Sequence, residues 1–238
     1  MPDQSNTTAA TEDFEFQALQ EARNYRRALF EEFNPFLRGD VLEVGAGIGQ
    51  MTEVLVSLPA VTRVLAVEPE AEFCGRHRDR HPAHEIVEGT IANLPPGGNW
   101  DAILSINVLE HIRVDEGELA SYANLLRKRA GCLCLFVPAR PEIYAPIDQY
   151  FGHFRRYTRP ELRRKLGGAG FQIVRLIYFN FPGYFAWWLN FRLLKNRKFE
   201  IAKVRFFDRV IFPITHRLES RLLRPPFGQS LIAVARAG

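Results

Sequence analysis

The stretch Asp40-Val41-Leu42-Glu43-Val44-Gly45-Ala46-Gly47-Ile48-Gly49 runs an apolar strand into three glycines at alternate positions. Helical spacing resumes at about Gln50 and is limited by Pro59, so the glycines occupy a strand-to-helix turn. Glycine lets the backbone turn tightly and lets a ligand approach, and the start of a helix offers unpaired N–H groups. In an open α/β sheet the ligand crevice lies beyond the carboxyl ends of the strands. A dinucleotide fingerprint would need its third glycine at position 50, which is Gln, and a phosphate-cradling loop would need Gly-Lys-Ser/Thr, which is absent. Gly-x-Gly-x-Gly after an acid suits an adenosyl ligand without phosphates. Glu43 can then organise the ligand's ammonium through the loop or a water. A plain packing loop is the remaining reading.

Outward from this turn the chain alternates. Strands are expected at Arg63–Glu68, His84–Val87, Asp101–Ile106, Gly131–Val137, Phe171–Phe179 and Gln229–Arg236. Helices are expected at about Glu70–Arg80 and Asp115–Arg129, and after Thr158, where Thr158-Arg-Pro-Glu161 forms a capping box. Near-continuous apolar strands separated by helices predict a parallel sheet covered on both faces. An amphipathic helix at about Glu12–Phe33 precedes the sheet, residues 1–11 read as a disordered tail, and residues 12–238 read as one domain. Ala139–Tyr157 has no periodicity and reads as a loop. Residues 181–228 form an insertion that splits a central strand pair before the last strand.

Glu68 closes the second strand, 19 residues past Gly49, where a carboxylate can accept both ribose hydroxyls of an adenosine. Gly89, Thr90 and Ile91, after the third strand, can line an adenine pocket. Together these residues resemble the class I S-adenosylmethionine-dependent methyltransferases. The resemblance rests on Val41–Gly49, Val67-Glu-Pro69, Glu88-Gly-Thr90 and Asp101–Ile112, and is strong over about Asp40 to Val137. It implies a Rossmann-like, mostly parallel sheet of seven strands flanked by helices, and S-adenosyl-L-methionine as cofactor. The methionine end would meet Glu43, Gly45, Gly47 and Gly49, the ribose Glu68, and the adenine Gly89, Thr90 and Ile91. Asn107 and Val108 would face the cofactor, and Tyr25, on the N-terminal helix, would lie over its sulfonium, where a ring supplies cation–π attraction.

Methyl transfer from a sulfonium is an in-line displacement that needs a base only when the acceptor arrives protonated. The acceptor-side candidates are Tyr144, Tyr150, His153, Arg155, Arg156 and Tyr157, in the loop after the fifth strand. His153 is the expected base, with His111 as rival. The arginines suit an acidic group or a row of sugar oxygens. The expected acceptor is a hydroxyl of a small molecule or saccharide, with an N-methylated small molecule or a non-catalytic interaction domain as alternatives.

The remaining composition narrows the classes. Of the 238 residues, 47% are hydrophobic and 24% charged, which excludes a disordered or fibrous chain. Three cysteines give no disulfide framework and no paired zinc ligands, so a reducing, cytoplasmic location and no metal are expected. The polar start lacks the apolar run of a signal peptide, and no spanning run of 18 apolar residues occurs. The net charge of +4 is uneven: Phe181 to Phe227 carries ten Lys or Arg against three Asp or Glu, and 11 of the 29 aromatic residues. Nucleic acid is disfavoured, because this positive excess is interleaved with aromatics. Such a segment suits helices that pack over the sheet, a homodimer contact, a peripheral contact with the inner face of the membrane, a grip on a lipid tail, or other contacts with substrate.

Overall fold

The computed structural model describes residues 20–196, 200–221 and 225–238. The expected tail at 1–11 and the start of the N-terminal helix lie outside the described residues. Seven strands form one sheet: β1 (Gly39–Val44), β2 (Val61–Glu68), β3 (Glu85–Glu88), β4 (Ala102–Ile106), β5 (Cys132–Pro138), β6 (Phe171–Phe179) and β7 (Ser230–Ala237). Their order is β3-β2-β1-β4-β5-β7-β6. The first five run parallel, while β7 lies antiparallel between β5 and β6. The order therefore reverses between β1 and β4. That reversal opens the crevice in which α/β sheets bind ligands, and it places the glycine turn there.

The helices are α1 (Arg23–Phe33), α2 (Thr52–Ser57), α3 (Ala71–Arg80), α4 (Asp115–Arg127), α5 (Pro146–Tyr150), α6 (Arg159–Gly168), α7 (Phe181–Trp187), α8 (Ile201–Phe206) and α9 (Phe212–Arg221). The sheet separates two apolar layers because successive strand side chains point to opposite faces. Leu42, Leu65, Ile103 and Leu133 meet Leu119 and Leu126 of α4 and Leu162 and Leu166 of α6. Val41, Val64, Leu104 and Cys134 meet Leu29, Phe30 and Phe33 of α1, Leu55 of α2 and Phe212 of α9. All three cysteines are buried and free. The predicted capping box at Thr158 is present, with the Glu161 N–H donating to Thr158 Oγ1 at 3.3 Å.

Three expectations need correction. Ala139–Tyr157 is not a structureless loop: it holds a 3₁₀ turn at Pro141–Ile143 and the short helix α5, started by Pro146. Pro138 does not lie beyond β5 but is its last residue, opposite Ser230. The strand pair that flanks the insertion is at the sheet edge, not its centre, because β6 is the outermost strand.

Two of the insertion's ties to the body are polar and buried. Asn180, in the left-handed region at φ 61°, caps α7 by accepting the Gly183 N–H, and its amide donates to Gln229 Oε1 at 2.7 Å. The other tie is Asp208. No side chain local to α1 caps its N-terminus. Asp208 does so from 184 residues away, accepting the Asn24 N–H at 3.1 Å and the Tyr25 N–H at 2.9 Å. An acid at a helix N-terminus satisfies otherwise orphaned donors and complements the helix dipole. Asp208→Ala should therefore lower stability by about 1–3 kcal/mol in urea unfolding, with Asp208→Asn intermediate.

Candidate active site

The glycine turn is built by backbone conformations that side chains resist. Gly45, Gly47 and Gly49 have φ of 71°, 52° and 84°. A Cβ on Gly45 would lie 2.3 Å from a methyl of Val108, and one on Gly49 would lie 2.5 Å from the His81 ring. The Gly47 N–H donates to Glu68 Oε2 at 2.8 Å and the Glu70 N–H to Oε1 at 3.0 Å. Burial raises the Glu68 carboxyl above its ordinary value, and these two N–H bonds oppose the rise. A carboxylate offers about four lone-pair positions, so Glu68 keeps acceptor capacity for a diol. An open backbone cradle joined to a buried acid at the end of β2 fits the methionine and ribose parts of an adenosyl donor.

Behind this turn lies a chain of polar contacts. Glu43, buried in β1, accepts from Thr52 Oγ1 at 2.5 Å, and that hydroxyl lies 2.9 Å from His77 Nε2. Burial pushes the Glu43 carboxyl up to about 8, against the Thr52 hydrogen bonds and with Glu68 adding to the rise. Burial likewise pushes His77 down to about 4, helped by His81 and His84. Glu43 thus ties the start of α2 to β1, and its route to a ligand runs through the loop. The His81 ring meets the Gly49 carbonyl at 2.9 Å. Thr52, His77 and His81 were not singled out from the sequence. The available signal was two histidines four residues apart, at the end of the helix after the ribose-side acid.

After β3, the Gly89 N–H returns to the Glu68 carbonyl, and Thr90 caps the turn Ile91–Asn93. Ile91 packs against the core. At the exit of β4, Asn107 is held at φ 53° and Val108 covers Gly45. Asn107 also lines a cavity of about 430 Å³, together with Tyr25, His153, Arg156, Trp187 and Ser230. This cavity lies between the carboxyl edge of the sheet and the insertion. Tyr25 packs edge-on against Phe136 and Phe179, and burial raises its phenol.

The floor of the cavity is organised by Asp148, which is fully buried. Its Oδ1 accepts Arg156 Nε at 2.8 Å and meets Arg156 Nη2 at 2.8 Å and His153 Nδ1 at 3.2 Å, while Oδ2 accepts the Ala145 N–H at 2.8 Å. Burial pushes this carboxyl up, but His153 and the Arg156 guanidinium outweigh it and hold Asp148 below its ordinary value. The guanidinium also stacks 4.4 Å over Trp187. His153 Nε2 lies 3.9 Å from Glu110 Oε1, and its ring meets the His111 ring edge-on at 4.7 Å. Glu110, His111 and His153 bring one ligand atom each within 4.8 Å of one another, the one such group among the described residues. No sequence spacing marks it, because Glu110 and His153 meet only in space.

The structure divides the acceptor-side candidates. His153 and Arg156 line the cavity. Arg155 and Tyr157, expected beside substrate, turn the other way. Arg155 reaches Asp115 at 2.7 Å and the Arg113 carbonyl, and the Tyr157 hydroxyl donates to Asp115 at 2.8 Å. The segment is extended where Tyr157 bridges Ala139, so alternate side chains face opposite sides. Tyr144 supports the site from behind, its hydroxyl donating to the His153 carbonyl at 2.7 Å, and Tyr150 faces solvent.

Residues 15–176 match the model of a methyltransferase-domain family. The chain is a class I S-adenosylmethionine-dependent methyltransferase by family. A Mycobacterium tuberculosis protein named "probable S-adenosylmethionine-dependent methyltransferase" is 29% identical over 142 residues, 58% of this chain and 50% of that protein. The demethylmenaquinone methyltransferase of Tropheryma whipplei is 26% identical over 147 residues, 61% of this chain and 60% of the relative. The chain thus spans half the length of the first of these relatives. Among solved structures, a Haloferax volcanii complex of the Trm112 methyltransferase activator with a methyltransferase aligns with 100% of this chain and 99% of the other, at TM-score 0.65 and 15% identity. The DhpI–SAH complex aligns with 98% of this chain and 94% of the other, at TM-score 0.61 and 19% identity. Membership of this family implies S-adenosylmethionine as the cofactor of the glycine turn. Its match ends within β6, before the insertion that walls the cavity.

The raised Glu43 carboxyl has a consequence for stability. The folded protein holds this proton up to about pH 8, whereas the ordinary value is 4.5. Its contribution is full below about pH 4.5 and is lost as pH rises toward 8. Glu43→Gln, isosteric with the neutral acid, should flatten this decline. Urea unfolding between about pH 5 and about pH 8 checks it, since one proton corresponds to a slope of up to ~1.4 kcal/mol per pH unit.

Proposed function

We propose that this methyltransferase transfers the methyl group to a hydroxyl of a small molecule or saccharide, with His153 as general base. The observation that carries the reading is the Asp148–His153 contact at 3.2 Å on the wall of the cavity. A carboxylate at Nδ1 favours the tautomer with its proton on Nδ1, which leaves the Nε2 lone pair to take a hydroxyl proton. The donor, when bound, supplies the sulfonium methyl for an in-line displacement. Arg156, fixed on Asp148 and Trp187, offers a charged wall for acceptor oxygens. Asn107 and Tyr25 line the same cavity.

His111 is the weaker base. Desolvation of its ring and the neighbouring His153 lower it below its ordinary value although the residue as a whole is exposed, and no carboxylate fixes its tautomer as Asp148 fixes that of His153. The Haloferax volcanii neighbour is solved with an activator protein, which supports including a protein partner among this chain's working components.

His153→Gln should lower kcat by about 10²- to 10⁴-fold and abolish the acidic limb of the pH–rate profile, the fall in rate as the base becomes protonated, while donor affinity stays within a few-fold. His111→Gln should keep that limb; a profile that follows His111 instead would overturn the assignment. Glu68→Ala leaves two backbone N–H groups without their acceptor and removes the proposed ribose contact. It should weaken donor binding by about 10- to 100-fold in calorimetry.

A further inference from the structure

The insertion leaves two apolar rows in solvent. The first rod is α7 continued by a π-helical turn at Trp188–Leu193. It exposes Phe185, Trp188, Leu189, Leu193 and Leu194. The second is α8, a π turn at Phe207–Ile211, and α9. It exposes Phe206, Val210, Ile214 and Leu218, at a constant step of four. In a plain α-helix a four-residue step drifts by about 40°, and the wider π turn offsets part of that drift and keeps the row on one face. These nine side chains are each 43 to 59% exposed and are most of the large apolar residues in solvent among those described.

The exposed charge around the rows is mostly positive, with two of its cations paired, Lys203 on Glu200 and Arg205 on Glu21. Arg192, Lys195, Lys203, Arg205, Arg209 and Arg217 are exposed, against one exposed acid, Glu200, among the described residues of the insertion. Asp208 is turned inward on α1, and Glu219 is partly buried against the Phe181 N–H. A second copy docked on this face would set like charges together. Anionic headgroups would neutralise the cations while the rows enter the acyl boundary. Among the described residues no helix is long and apolar enough to cross a membrane. Contact would be with the surface.

Phe206 joins this face to the site, because it belongs to the exposed row and also lines the cavity. Lys203, Asn196 and Glu200, all exposed, also line the cavity, and so do Val204, Phe207, Ile211 and Phe191, which are partly or wholly buried. Apolar walls therefore lead from the exposed face toward Arg156 and His153.

We propose that the exposed apolar rows carried by α7 to α9 dock on an anionic lipid surface, and that the acceptor is an amphiphile whose hydroxylated head reaches His153 while its apolar tail lies along these walls. The acceptor class rests on the hydroxyl-transfer reading; the docking does not. In flotation, the full chain should rise with phosphatidylcholine vesicles containing phosphatidylglycerol at low salt, and much less with phosphatidylcholine alone or at high salt. Ile214→Asp with Leu218→Asp, both on the exposed row and outside the cavity, should cut the bound fraction about tenfold while the melting temperature stays near wild type. His153→Gln should float like wild type, so failure of the base assignment leaves this result intact. Absence of flotation, binding indifferent to lipid charge, or a dimer that the same two substitutions dissolve would overturn the docking. Dodecyl maltoside below its micellar concentration should raise the melting temperature where maltose does not, and equal effects would overturn the amphiphile.

Discussion

The cavity is held in shape by one buried ion pair. Asp148 and Arg156 are both almost wholly removed from water. Desolvating two charges is costly, and such a pair is tolerable only when geometry and further hydrogen bonds are good. Here Asp148 takes the Arg156 fork, the Ala145 N–H and the His153 ring, while Arg156 also donates to the Ala139 carbonyl and covers Trp187. The consequence is positional. One carboxylate fixes the start of α5, the orientation of an imidazole and the guanidinium wall at once, and the insertion is registered against that wall through Trp187.

The donor side obeys a different constraint. Its turn is made of glycines in left-handed conformations, backed by Val108, His81 and the Glu68 carboxylate. Nothing there requires a charged side chain to reach the ligand except Glu68. Glu43 instead stiffens the junction from within the sheet, through Thr52. The two halves of the site therefore meet at Asn107, which leaves β4 at the point where strand order reverses and lines the cavity. Methyl transfer gains most of its rate from orientation, so a rigid sheet edge between donor and acceptor is a suitable frame.

Much of the sheet was legible because parallel strands covered on both faces read as apolar runs, and because the glycine turn and Thr158 carry local signatures. Glu68 was legible by spacing from the glycines. The acceptor side was less so, since its contacts are between residues distant in sequence. Nothing local in Asp208 announces that it caps α1, and nothing local in Glu110 that it approaches His153. Arg155, Arg156 and Tyr157 show the limit well. Their chemistry is right for substrate, yet the alternation of an extended backbone sends only the middle one to the cavity. The π turns were also hidden, because their sequences are ordinary helical ones.

The two ends of the insertion meet. Asn180 and Gln229 are 49 residues apart in sequence but hydrogen-bond through side chains and backbone, just where β6 hands over to β7. The β6–β7 pairing then closes independently of what lies between. Such a junction lets the intervening segment change length and sequence without breaking the β6–β7 pairing, provided the anchors Asp208 and Phe212 against α1 are kept, so that acceptor preference can evolve as a cassette on a constant donor-handling scaffold.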